Sequence, residues 1–442
     1  MWLALLVACT GPEPAKSTDS APPEPSFIPW SGGLPSTATL PTPRGLTDRR
    51  AIVHLHSPWS HDACDGAGWE DGVLDEDCLS DLRAGLCATR VDVAFLTDHP
   101  DHLSAQSWDD VLLARGDDTP GPASNTITCD DGHVVTWLPG VEDELMPLAL
   151  DRHVHDDPDE RHRLLNDTGE EGLAASIAAG GTVFVAHTEG RDPADLETLQ
   201  DAGLTGVELF NLHAMFAPDI RPEAFGLEPF DWIEQIAPFT DPDDTGEPDL
   251  LFLAVLQEQA PSIATWDRLL ARGPAVGVAG TDAHQNVLPL ELRDGERGDS
   301  YRRMLRWFAN HILVRDGETA EQALAAGRAY TAFEALGTPW GFDVHLGDVE
   351  LGGTGAPGPL TVTCPTLHPE SPRGPVGPEI SVIVYRDGVA WQSGCGTFDA
   401  GPGVYRVRVD QVPLHLEPFL GSDPDPWLRS FPWVYSNAIR VE

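Results

Sequence analysis

Histidine and carboxylate residues recur at the ends of apolar runs along this chain of 442 residues. The first such run, Ala51 to Leu55, carries His54 and is followed by His56. Side chains alternate along a strand, so residues two apart share a face. Two imidazoles converging from a strand end, with a third donor behind them, can hold a divalent ion. The pattern then repeats. Asp98 and His99 follow the run Val91–Thr97, and Glu142 closes Gly140-Val141-Glu142. His187 follows Thr182–Ala186, Asn211 and His213 follow Thr205–Phe210, and Asp282 and His284 follow Ala275–Thr281.

The elements that must position these residues are legible from periodicity. Apolar residues at helical spacing predict a helix over 76–90, with further helices over 169–180 and 262–272. Two strands around the Asp130-Asp131-Gly132 turn are expected within 126–141. Strand and helix alternate, and each candidate ligand falls just past the carboxyl end of a strand. Parallel α/β barrels place their active sites there. A last helix is expected over 319–330. Beyond it come short alternating stretches separated by Pro and Gly, which predict a small Ig-like β-sandwich. The expected division is a barrel over 49–337 and a sandwich over 338–442, with few contacts crossing between them.

Bulk properties narrow the function. The formal net charge is −44, which repels nucleic acid and anionic membranes. Lys16 is the only lysine. Without other lysines the folded region has no P-loop lysine, Schiff-base lysine or carbamylated metal-bridging lysine. The start, Leu6-Val7-Ala8-Cys9, resembles a bacterial lipobox, which implies a signal peptide over 1–9 and a lipid anchor at Cys9. Residues 10–48 are rich in Pro, Ser, Thr and Gly and are expected to form a disordered tether. The chain is then exported, as a periplasmic or cell-surface lipoprotein. Six cysteines remain beyond Cys9, which an oxidising location permits to pair. Cys364 and Cys395 are the expected pair in the C-terminal part. Cys64, Cys78, Cys87 and Cys129 leave three pairings open.

The ordered motifs His54-Leu-His56, Thr97-Asp98-His99, Gly140-Val-Glu142, Val185-Ala-His187, Gly206–Asn211 and Gly280-Thr-Asp282-Ala-His284 resemble the PHP family of metal-dependent phosphoesterases. The closing stretch Pro432–Asn437 resembles the carbaryl hydrolase-related (CehA-like) branch. The resemblance implies a distorted (β/α)7 barrel carrying two or three divalent ions, of zinc, manganese or iron. It implies that His54, His56 and Asp282 hold one ion and that Glu142 bridges to a second, completed by His187 and His213. His99 and His284 would serve a third. After His56 the family places an Asp or His, and this chain offers His61, Asp62 and Asp65, with His61 expected first and Asp62 next. Asn211 competes with His213. The family's proline after the fourth-motif histidine is Thr188 here.

The expected chemistry is hydrolysis of a small phosphorylated or ester substrate by a water bridging two ions that lower its pKa. Asp98 and Glu142 belong to the expected catalytic set. Arg191 is the expected cationic partner of a substrate anion, and His102 the expected proton donor to the leaving group. Phosphoesters come first among substrates, with carboxylic or carbamic esters as the alternative. A surface lipoprotein that binds metal without turnover is the reading from a different class.

Overall fold

The computed structural model describes residues 27–442 apart from Asp219. The expected signal segment, Cys9 and residues 10–26 of the expected tether lie outside the described residues.

The chain forms a mixed α/β structure around a large mixed sheet. Its strands are β1 (Thr47–Leu55), β2 (Val93–Leu96), β3 (Val134–Pro139), β4 (Leu145–Leu148), β5 (Thr182–Val185), β6 (Gly206–Asn211), β7 (Val276–Ala283), β8 (Ala309–Val314) and β9 (Ala329–Ala332). The order β3-β2-β1-β7-β6-β5 is parallel throughout, and β4 joins β5 antiparallel. Two main-chain hydrogen bonds link β4 back to β3, from Leu150 N–H to Pro139 at 2.8 Å and from Val141 N–H to Pro147 at 3.1 Å. The strands read as near-continuous apolar runs because both faces are buried. Ala51, Val53, Phe95, Leu138, Met146, Phe184 and Val278 meet in one cluster on one side of the sheet.

Helices cover the other side. In α1 (Glu76–Ala88), Asp75 caps the first turn by accepting from the amides of Asp77 and Cys78, and Leu79, Leu82 and Leu86 face inward. Helices α2 (Glu170–Ala178), α3 (Pro193–Asp201) and α4 (Ala260–Arg272) follow β4, β5 and β6 in the chain. The helix expected over 319–330 is shorter. It spans Ala320–Ala325 and ends at Gly327, whose φ of 70° is left-handed and free of strain only for glycine. Arg328 leads into β9, which begins at Ala329.

At the end of β1 far from His54, Arg50 is fully buried and donates through Nε and Nη2 to Glu334 at 2.7 and 2.9 Å. His311 on β8 sits between Asp48 at 2.8 Å and Glu334 at 3.0 Å, and stacks on Tyr330. Burying these charges is tolerable only because each meets an opposite partner.

The C-terminal residues form β10 (Asp343–Leu346), β11 (Gly358–Thr363), β12 (Glu379–Arg386), β13 (Gly396–Ala400), β14 (Gly403–Val412), β15 (Phe431–Ser436) and β16 (Ile439–Val441). Strands β10, β11 and β13 make one antiparallel sheet, and β12, β14 and β15 extend the large one. Few crossing contacts were expected, and here the structure differs. β15 pairs antiparallel with β9, Thr331 opposite Tyr435, so one sheet runs through both parts. The Asn437 amide also bonds the N–H of Gly277 at 2.7 Å and its carbonyl at 3.1 Å. Alternation along a strand reveals its faces but not its hydrogen-bonding neighbour, and the open edge of β9 requires one.

Of the tether expected over 10–48, the described residues are laid onto the core. Within 27–46, Leu34, Leu40 and Leu46 are buried. Trp30 donates to Asp249, Thr37 to Asp92, and Arg44 pairs with Asp343 and Glu350. A Pro-rich composition does not distinguish loose chain from chain laid onto a core. The disulfides are Cys364–Cys395, as expected, with Cys64–Cys78 and Cys87–Cys129 resolving the open pairings. No helix among the described residues is long and apolar enough to cross a membrane.

Candidate metal centre

His54 and His56 meet, but not by simple strand alternation. β1 is irregular between Val53 and Leu55, where its register with β7 and β2 shifts. His54 takes a left-handed φ of 60° there, and His56 lies just past the strand end. His187 and Asp282 are also left-handed, at 49° and 51°. Non-glycine residues adopt this conformation at a cost, and such strain gathers at functional sites. Gly280 on β7 makes room: a Cβ there would lie 1.8 Å from Glu208 Oε1 and 2.7 Å from His54 Cβ.

Asp282 sits at the centre. Its Oδ1 lies 3.3 Å from Nε2 of both His54 and His56, and its Oδ2 lies 3.3 Å from His187 Nε2. Four groups of donor atoms converge in this way: His54, His56 and Glu142; His54, His187 and Asp282; His213, Asp282 and His284; and His56, Asp62, His99 and His284. Asp62 Oδ2 stands 3.3 Å from His284 Nε2 and 3.6 Å from His99 Nε2. Glu142 Oε2 lies 2.9 Å from His99 Nδ1, and its Oε1 lies 4.0 Å from His187 Nε2.

A second set of residues aims these side chains. His54 Nδ1 donates to Glu208 at 2.8 Å, His187 Nδ1 to Glu189 at 3.1 Å, and His284 Nδ1 to the Asp282 carbonyl at 2.7 Å. His56 Nδ1 shares a hydrogen bond with Ser60 Oγ at 2.8 Å. With Nδ1 engaged, Nε2 is the nitrogen left to bind a metal once its proton is displaced, the arrangement seen around bound metals. His54 Nε2, His56 Nε2, Asp62 Oδ1 and His213 Nδ1 are buried without any hydrogen-bond partner. Orphaned buried donors and acceptors cost free energy and call for an explanation.

Electrostatics points the same way. Burial opposes charge on His54, yet Asp282 and Glu208 outweigh it and push the imidazole up to about 10. Burial and the neighbouring His284 hold His56 down at about 3, so it stays neutral. Glu142 remains ionised against its burial, held at about 2 by His99, His54 and His187. The pocket therefore holds more buried negative charge than it can neutralise without protonating a ligand. Divalent ions fit this donor set, since nitrogen and carboxylate oxygen suit zinc, manganese or iron.

No family model matches the chain, and no curated protein matches it. Solved structures similar in outline include a two-domain protein containing a predicted PHP-like metal-dependent phosphoesterase from Bacteroides vulgatus ATCC 8482. The identity is 10% and the TM-score 0.35, over 92% of this chain and 98% of that one. PsfC from Pseudomonas syringae PB-5123 is similar at 13% identity and a TM-score of 0.33, over 63% of this chain and 88% of that one. Likeness at these values carries no weight for the site, which stands on its own geometry.

The expected residues divide. His54, His56, His99, Glu142, His187, His213, Asp282 and His284 come together, with Asp62 among them. His61 does not join: it is half exposed and turns to Asp101 at 3.2 Å. One residue along the loop exchanges an inward for an outward direction, which spacing alone does not decide. Asp65 pairs with Arg297 at the surface. Asn211 is not among the converging donors; its amide bonds Asp282 Oδ2 at 3.0 Å and Glu208 at 3.2 Å. Asp98 faces away, accepting from Ser57 N–H and Oγ at 2.5 and 2.8 Å, and burial raises it to about 6 despite both bonds. It fixes the turn after His56 and does not reach the donor groups. His102 is outside those groups as well. Arg191 lines a cavity of about 690 Å³ beside His187, but its guanidinium is paired with Glu144 at 2.5 Å.

Sequence reading missed Glu208, Glu189 and Ser60. Glu208 had a signal, an acidic residue inside a buried apolar strand, which only a specific partner allows.

Proposed function

We propose that the chain is a metal-dependent hydrolase that cleaves phosphoesters. One observation carries the reading: the unpartnered Nε2 atoms of His54 and His56 stand 3.3 Å from one carboxylate oxygen of Asp282, while each Nδ1 is held from behind. In this reading the seven strands from β1 to β7 act as the distorted barrel of the PHP resemblance. The hydrogen bonds from β4 to β3 and the shared cluster of Val53, Phe95, Met146 and Val278 support that shape.

His54, His56 and Asp282 would hold one ion, Glu142 and His187 would serve a second, and Asp62, His99 and His284 a third; His213, expected beside Glu142 and His187, converges instead with Asp282 and His284. Bound ions would supply positive charge that activates water and polarises the ester. Glu142 would lie between the positions and add the bridging negative charge that a carbamylated lysine, absent from the described residues, would otherwise supply. Glu208 and Glu189 would keep His54 and His187 in the tautomer that offers Nε2. The cavity beside His187 gives a substrate a route to the cluster.

A second reading rests on the same cavity. Glu189, Asp192 and Glu223 line it, and its Arg191 is already paired with Glu144. That wall suits an uncharged carboxylic or carbamic ester better than a phosphate dianion. Three disulfides support an exported chain, and a lipid at Cys9 remains part of the proposal. Metal analysis of the purified protein, followed by a screen of phosphodiesters, phosphomonoesters and aryl esters, tests both readings. Bound divalent metal with phosphoester turnover is the expected result. Absence of bound metal after zinc or manganese loading rules out the hydrolase reading.

A further inference from the structure

Directly behind His284, contacts from three segments converge. Tyr301, fully buried, donates its hydroxyl to the His56 carbonyl at 2.9 Å and lies 3.4 Å from the His284 carbonyl. Cys64 N–H donates to the same His284 carbonyl at 2.8 Å, and Asp65 N–H to Gln285 at 2.9 Å. Cys64 is in turn bonded to Cys78 in the first turn of α1, and Cys78 Sγ lies 3.9 Å from the Tyr301 oxygen. Both cysteines are buried.

Asp62 lies on the loop between these two anchors. Its upstream end is fixed at His56, through Tyr301, and its downstream end at Cys64, through the disulfide. The other groups of donors depend less on this loop, because His54, Glu142, His187 and Asp282 sit at or just beyond the ends of paired strands, and only His56 and His284 are shared with it.

We propose that the Cys64–Cys78 disulfide and the Tyr301 hydroxyl form a positioning clamp that sets Asp62 against His99 and His284, so that this ion position, which draws Asp62, His56 and His284 from clamped segments, depends on the clamp more than the positions around Asp282 and Glu142 do. The inference rests on the metal reading above. Asp62 lies outside the loop that the disulfide closes, and the bond acts by tying Cys64, two residues further on, to the first turn of α1. The hydroxyl joins the main chains of two ligand-bearing segments, His56 and His284, that are remote in sequence. Residues that orient ligands in this way typically change metal affinity by about 10–100-fold when removed.

The test uses zinc alone, added to metal-stripped full-length protein, with calorimetric titration and elemental analysis. The variants are Tyr301→Phe and the double variant Cys64→Ala/Cys78→Ala. Asp62→Asn marks loss of the position itself, and Cys364→Ala/Cys395→Ala controls for losing a disulfide elsewhere. Both clamp variants are expected to lose the zinc that Asp62→Asn loses, or to bind it about 10–100-fold more weakly. The remaining zinc, to which His56 and His284 also contribute, should weaken less than this one, and the control should keep all of it at wild-type affinity. Clamp variants that bind zinc like the wild type and the control overturn the clamp and leave the metal reading standing. Wild-type protein that takes up no zinc overturns the metal reading itself. Should the cysteine variant fail to fold, Tyr301→Phe decides alone.

Discussion

Glu208 accepts a hydrogen bond from His54 Nδ1 at 2.8 Å, and its other oxygen accepts the His187 main-chain N–H at 3.0 Å. One buried carboxylate thus orients ligands that reach the cluster from β1 and from the end of β5. Glu208→Gln keeps the size and removes the charge. Zinc affinity should fall by about 10-fold or more, as for other partners of metal-binding histidines. Equal zinc titrations for variant and wild type would show that Glu208 serves only packing.

Glu142 faces His99, His187 and the His54–His56 pair at once. Glu142→Ala should reduce bound metal and abolish most hydrolysis together, because one side chain contributes to several positions. Full metal content with unchanged turnover is the outcome that removes its bridging role.

Adjacent residues on one loop should behave oppositely. Asp62 reaches His284 and His99, whereas His61 turns to Asp101 near the surface. Asp62→Asn should therefore lower the metal content, and His61→Asn should leave it unchanged. Elemental analysis of the two purified variants separates them.

The buried network around Glu334 predicts a pH dependence of stability. Burial opposes charge on His311, but Asp48 and Glu334 outweigh it and raise the imidazole to about 9 from its ordinary 6.5. The folded state therefore binds the proton more tightly than the unfolded state. Its contribution is fully present below pH 6.5 and is lost as pH rises through about 9. Between those limits stability should fall by about 3 kcal/mol at most. Denaturant titrations of the wild type and His311→Gln across this range check the sign: the variant should lose most of the slope.

Asn437 joins the C-terminal strands to β7 through both main-chain groups of Gly277. Asn437→Ala leaves a buried donor and a buried acceptor without this partner, at a cost of roughly 3 kcal/mol. Unfolding should remain a single transition at lower denaturant, because β9 and β15 are still paired. Two separated transitions in this variant would show that the two parts unfold independently.

The sequence determined the elements and the ligand types. Apolar runs of four to eight residues bounded by polar ones mark strands whatever surrounds them, and β2, β5, β6 and β7 lie where those runs do. A histidine or acid at the end of such a run is visible in one dimension, so His54, His99, Glu142, His187, Asp282 and His284 could be named before any coordinates. Tertiary structure decided direction and partnership. Asp62 rather than His61 points inward because the loop is fixed at both ends by residues far away in the chain. Glu208 and Tyr301 act on ligands that are remote in sequence, and β15 completes the edge left open by β9. Periodicity reports which face of an element is buried. It carries no record of which neighbour buries it, since that depends on contacts between residues hundreds of positions apart.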